Sequence, residues 1–78
     1  MDLHSARIII DPEILNGKPA IRGTRVSVQT IVEFLGSGDS IEEILENYPS
    51  LTRDDILACL RFVADLMEHN FVVEPVNA

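Results

Sequence analysis

The sequence predicts a single, mainly α domain, with a three-helix core on a helix-turn-helix plan preceded by a short N-terminal β-hairpin or strand. Three observations predict it. A β-branched run, Arg7-Ile8-Ile9-Ile10, stops at the turn pair Asp11-Pro12. From Ser27 onward the apolar period changes from two to 3.6 and stays there through three capped segments. Neither a linker nor a repeat divides the 78 residues. The expected organisation is one domain over 1–78, with a β and turn segment at 6–26, the three-helix core at 27–69 and a tail at 70–78.

The β segment should end near Ile10. Asn16-Gly17 is the strongest turn signal, because both residue types tolerate positive φ, and a reversal there returns Ala20-Ile21-Arg22 toward the first strand. Gly23 marks a second special backbone position. Val28, Ile31, Val32 and Leu35 fall at i, i+3, i+4 and i+7 behind Ser27 as cap, and Gly36-Ser37-Gly38 ends that helix. Ser40-Ile41-Glu42-Glu43 fits a capping box for a second helix carrying Ile41, Ile44, Leu45 and Tyr48, which Pro49 stops. Thr52 opens a third helix running to Glu68, with Asp54 and Asp55 in its first turn, where the helix dipole favours negative charge. Asn70 is the expected stop. The tail Phe71-Val72-Val73-Glu74 reads either as a short strand or as a frayed end.

A chain this short buries only about 60% of the surface its unfolded form exposes, so its core is marginal and calls for a supplement. Cys59 is the only cysteine, which excludes an internal disulfide, and with His4 and His69 near opposite ends it makes a poor metal set. Association is the remaining supplement. A free cysteine in an apolar run suits a reducing compartment, so a cytoplasmic location is expected. Met1 to Ala6 carries no basic segment followed by a long apolar stretch, and no run approaches the roughly 18 apolar residues of a membrane span.

Formal charge is −7, and it is unevenly spread. Residues 1–30 carry a net +1 and residues 31–78 a net −8. Such a surface repels phosphate backbones at long range and favours a basic partner.

On a helical wheel, Ile56, Leu57, Cys59, Leu60, Phe62, Val63, Ala64, Leu66 and Met67 occupy an arc of roughly 220°, about twice the stripe one core-facing helix normally buries. Two short preceding helices do not cover that width. The expected explanation is a homodimer in which third helices pack about a two-fold axis through Ile56, Cys59, Leu60, Phe62, Val63, Leu66 and Met67. The opposite face, with Asp54, Asp55, Ala58, Arg61, Asp65 and Glu68, is mostly acidic.

The short second helix, the connection Tyr48 to Leu51 and the longer third helix match the helix-turn-helix plan, which serves both DNA recognition and plain packing. Carboxylates at Asp54 and Asp55 oppose phosphate contact by the third helix and leave Arg53 as its one candidate reader. The basic cluster lies in Gly17-Lys18-Pro19-Ala20-Ile21-Arg22-Gly23-Thr24-Arg25. Its cations either hold phosphates or an acidic partner surface, or they pair with acidic helices of the same or a neighbouring subunit. The order of a phosphate-binding P-loop is absent. No nucleophile, base and metal combine into a catalytic constellation; Cys59 reads as a core thiol and Glu42, Glu43 and Glu46 as a solvated face. An enzyme is not expected, nor is a cofactor.

The stretch from Ile8 to Val28, with its Asp11-Pro12, Gly17-Lys18-Pro19 and Arg22-Gly23-Thr24-Arg25 elements in order, resembles the signature of the bacterial family known as domain of unknown function 433. The likeness continues through Ile41 to Leu45, Tyr48-Pro49, Leu51-Thr52 and Asp55-Ile56, covering roughly residues 6–67. The resemblance implies a homeodomain-like helical part and, for many members, the role of antitoxin in a type II toxin–antitoxin pair, binding a PIN-like ribonuclease toxin and in some systems its own promoter. It marks Lys18, Arg22, Thr24 and Arg25 as signature positions without giving them a role. The expected function is therefore partner binding of antitoxin type. The alternatives are a sequence-specific DNA-binding regulator using Lys18, Arg22, Arg25 and Arg53, and a structural dimer module.

Overall fold

The computed structural model describes residues 6–70, excluding the side chains of His69 and Asn70. The expectations placed on His4, on the His69 side chain and on the Phe71–Glu74 tail lie outside that range. Strand β1 (Ile8–Ile9) pairs antiparallel with β2 (Ala20–Ile21), in the register Ile8 to Ile21 and Ile9 to Ala20. Helices α1 (Val28–Gly36), α2 (Ile41–Asn47) and α3 (Arg53–Asn70) follow, giving the mainly helical domain with an N-terminal hairpin that the sequence predicts.

Two turns shape the hairpin. After Asp11, whose carbonyl and carboxylate accept from Ile14 N–H and Glu13 N–H, the chain makes a left-handed turn at Leu15, Asn16 and Gly17, with φ of 52°, 57° and 83°. Asn and Gly enter that region readily, but a leucine there costs roughly 1–2 kcal/mol. The second turn runs from Ile21 to Val26 around Gly23 at φ 80°. The Thr24 hydroxyl donates to Ile21 O at 2.8 Å and accepts from Val26 N–H at 3.0 Å. It acts here as a turn staple.

The caps lie where the sequence places them. Ser27 Oγ accepts from Thr30 N–H, and Ser40 and Glu43 form the reciprocal capping box. Phe34 of α1 stacks at a tilt on Tyr48 beyond α2, with ring centroids 5.9 Å apart. The start of α3 holds a second reciprocal box that the sequence reading does not identify. Thr52 N–H donates to Asp55 Oδ2 at 2.9 Å, and Asp55 N–H donates to Thr52 Oγ1 at 3.2 Å.

The core joins Ile8 and Ile21 of the hairpin to Val28 and Ile31 of α1, Ile44 of α2, and Leu51, Ile56, Ala58 and Cys59 at and around the first half of α3. This corrects the expectation for α3 in two ways. Ile56 and Cys59 are fully buried within their own chain, so they are core residues and not a dimer face. Asp55 and Ala58, placed on the opposite, mostly acidic face, are buried as well. The cause is that α3 packs on three elements, α1, α2 and β1, so its first half is covered over a wider arc than two helices provide. The apolar surplus lies further along the helix axis. Eighteen residues span about 27 Å against about 14 Å for the nine of α1, and Leu66 and Met67 near the far end remain exposed, as does Leu60 at mid-helix, with Phe62 and Val63 half-buried.

Candidate functional site

The cations of the domain fall into two groups. One group is occupied. Arg7, at the start of the hairpin, places its guanidinium 3.0 Å from Asp55 Oδ1 and 3.6 Å from Asp54 Oδ2. Arg53 sits 3.5 Å from Glu42 across the α2–α3 corner, with both side chains exposed. Arg22 is tied to the edge of the hairpin: its N–H donates to Arg7 O at 2.7 Å and its Nε–H to Ala6 O at 2.8 Å. The first turn of α3, the part a recognition helix presents to DNA, therefore offers Arg53 beside Glu42 and a pair of carboxylates beside Arg7.

Lys18, Arg25 and Arg61 form the second group, and among the described residues none of them has an ion-pair partner. Lys18 follows the left-handed turn and Arg25 lies in the Ile21–Val26 turn. The two line one open cleft of about 230 Å³ together with Leu15, Asn16, Ser27 and Thr30. Arg25 also borders a second concavity of about 310 Å³ with Ile14, Gly23 and Thr24.

Of the five binding candidates, the fold thus brings Lys18 and Arg25 to one place, gives Thr24 and Arg22 to the architecture that holds them there, and sets Arg53 at the α2–α3 corner. Arg7, Asp55, Ser27 and Thr30 have site or scaffold roles that the basic segment alone does not reveal. The Thr52-x-x-Asp55 spacing is the local signal that points to Asp55.

Cys59 is fully buried, and burial, reinforced by the nearby Asp55 charge, pushes its thiol from 9.0 up to about 12. A thiol held neutral across the physiological range is a poor nucleophile. No helix among the described residues is long and apolar enough to cross a membrane.

Fold and surface together define a small helix-turn-helix domain with an N-terminal hairpin, an acidic helical half and a basic cleft. The chain belongs to the family described as protein of unknown function (DUF433), whose model matches residues 8–63. It is 44% identical over 57 residues to the uncharacterized protein y4eO of Sinorhizobium fredii (strain NBRC 101917 / NGR234), covering 70% of this chain and 26% of that protein. The chain thus spans about a quarter of the length of that relative. The crystal structure of a DUF433 member from Anabaena variabilis ATCC 29413 superposes with a TM-score of 0.75 at 35% identity, covering 80% of this chain and 61% of the other.

Proposed function

We propose that this domain is a non-enzymatic interaction module of the antitoxin type, a homodimer that captures a PIN-like ribonuclease toxin in the cytoplasm. The observation that carries the reading is the far end of α3. Leu66 and Met67 there, and Leu60 at mid-helix, are exposed in a domain whose core closes without them, as is Ile10 after β1, and exposed apolar side chains grouped along one helix mark an association surface. Two copies pair there, with Phe62 and Val63 at its margin. The pairing brings together two helical halves of net −8 each, and an acidic surface steers toward a ribonuclease built to attract RNA.

Co-expression with the product of the adjacent gene tests the reading. The expected outcome is a co-purifying complex and rescue of growth from the toxin. If no neighbouring product is retained or neutralised, the antitoxin reading is wrong.

The alternative, a DNA-binding regulator without a toxin partner, is favoured by Lys18 and Arg25, which have no ion-pair partner among the described residues, and opposed by the neutralised first turn of α3. A gel shift against the chain's own upstream region across a salt series separates the two. Under the regulator reading a salt-sensitive shift appears without any partner protein.

A further inference from the structure

Lys18 and Arg25 reach one cleft from two separate turns, and no carboxylate among the described residues lines it. In a chain of net −7 this is notable, because Arg7 and Arg53 on the same domain both have acidic neighbours. Two cations lining one concavity without a counter-ion repel each other, a cost that a bound anion removes. The backbone beside them is held at a cost too: Leu15, on the cleft wall, keeps φ at 52°.

The polar wall supplies a donor. Ser27 Oγ and Thr30 Oγ1 are 2.9 Å apart, and Ser27 Oγ also accepts from Thr30 N–H. Whichever hydroxyl donates to the other, one O–H is left over to donate into the cleft. The α1 amides contribute less, since Val28 N–H is taken by Pro19 O and Thr30 N–H by Ser27 Oγ. The site is therefore one of side chains, not of a bare helix terminus.

We propose that this cleft binds a single phosphate-class oxyanion, held by Lys18 and Arg25 with the free hydroxyl of the Ser27–Thr30 pair. A tetrahedral phosphoryl group offers its unesterified oxygens, two in a monoanionic diester and more in free phosphate, to a planar guanidinium, a point ammonium and a hydroxyl. The phosphoryl group has two sources, free phosphate in solution or the backbone of a nucleic acid. The cleft and the far end of α3 lie on different elements, so partner capture and anion binding are able to fail independently.

The test is a titration of the full-length, ¹⁵N-labelled chain with inorganic phosphate at constant ionic strength. A parallel anisotropy titration uses a labelled duplex of about 20 base pairs. Saturable shifts of the Asn16–Lys18 and Arg25–Thr30 amides are expected in the wild type and in Arg61→Gln, which removes a cation outside the cleft. In Lys18→Gln/Arg25→Gln the affinity should fall at least tenfold, with the dispersed spectrum showing that the fold is kept. If phosphate competes with the duplex, and the log–log salt slope drops by about 1 in the double variant, the backbone is the source. Phosphate shifts without duplex binding assign the site to free phosphate. The proposal is overturned if neither probe binds, or if Arg61→Gln weakens binding as much as the cleft variant does.

Discussion

The Arg7 guanidinium lies 3.0 Å from the Asp55 carboxylate, joining the turn that leads into the first strand to the first turn of α3 across 48 residues of sequence. The same carboxylate closes the capping box with Thr52, so Asp55 serves two contacts while nearly buried. Asp55→Ala should destabilise the domain by about 1–3 kcal/mol, through loss of the cap and of a charge-assisted hydrogen bond. Arg7 is 43% exposed, so solvent screens its share, and Arg7→Gln should cost no more than about 1 kcal/mol. Urea denaturation of the two variants checks the order. A larger loss for Arg7→Gln would mean the ion pair, and not the cap, holds α3 in place.

Gly23 and Gly36 make a matched pair, since a methyl group meets nothing within 4 Å at either position. They differ in backbone: Gly23 sits at φ 80°, while Gly36 ends α1. Gly23→Ala should therefore destabilise by about 1 kcal/mol through strain alone, and Gly36→Ala should be neutral or stabilise by up to about 1 kcal/mol by restricting the unfolded chain. Thermal melts showing the same sign for both would contradict this account of the turn.

Cys59 makes stability depend on alkaline pH. Its thiol is raised from 9.0 to about 12 in the folded chain, so both states hold the proton below pH 9 and nothing is lost there. Above pH 9 the unfolded chain ionises first, and stability should fall until the folded thiol also titrates near 12. Cys59→Ala should show a smaller decline between pH 9 and 11, whatever its absolute stability. Equal slopes in the two proteins would remove Cys59 as the cause.

Leu66→Gln and Met67→Gln lie outside the core and should change monomer stability by less than about 0.5 kcal/mol, whereas Ile56→Ala, at a fully buried position, should cost about 2–5 kcal/mol. Sedimentation of the Leu66→Gln/Met67→Gln chain should report a monomer where the wild type is a dimer. A variant that sediments as the wild type does would remove the far end of α3 from the interface.

The elements of this fold are written locally and were legible for that reason. Ser27 and Ser40 cap where the apolar period begins, Pro49 breaks where it must, and Asn16-Gly17 reverses the chain. What depended on distant contacts was not legible. A helical wheel gives the angle of Ile56 and Cys59 but not which elements cover them, so the hairpin's share in burying α3 was invisible. The same limit applied to the basic segment. It was recognisable as a cluster, yet only the fold separates Arg22, tied to Ala6, from Lys18 and Arg25, which face an open cleft. Positive φ at Leu15 runs against the preference of its residue type, and no local rule announces it.

The proposed capture of a ribonuclease by this acidic domain is open to direct assay. The most direct measurement is the RNA-cleaving activity of the adjacent gene's purified product, titrated with this chain at low and at high salt. Stoichiometric loss of activity is expected, with an association rate that falls as ionic strength rises. Full activity in the presence of excess chain at low salt would contradict it.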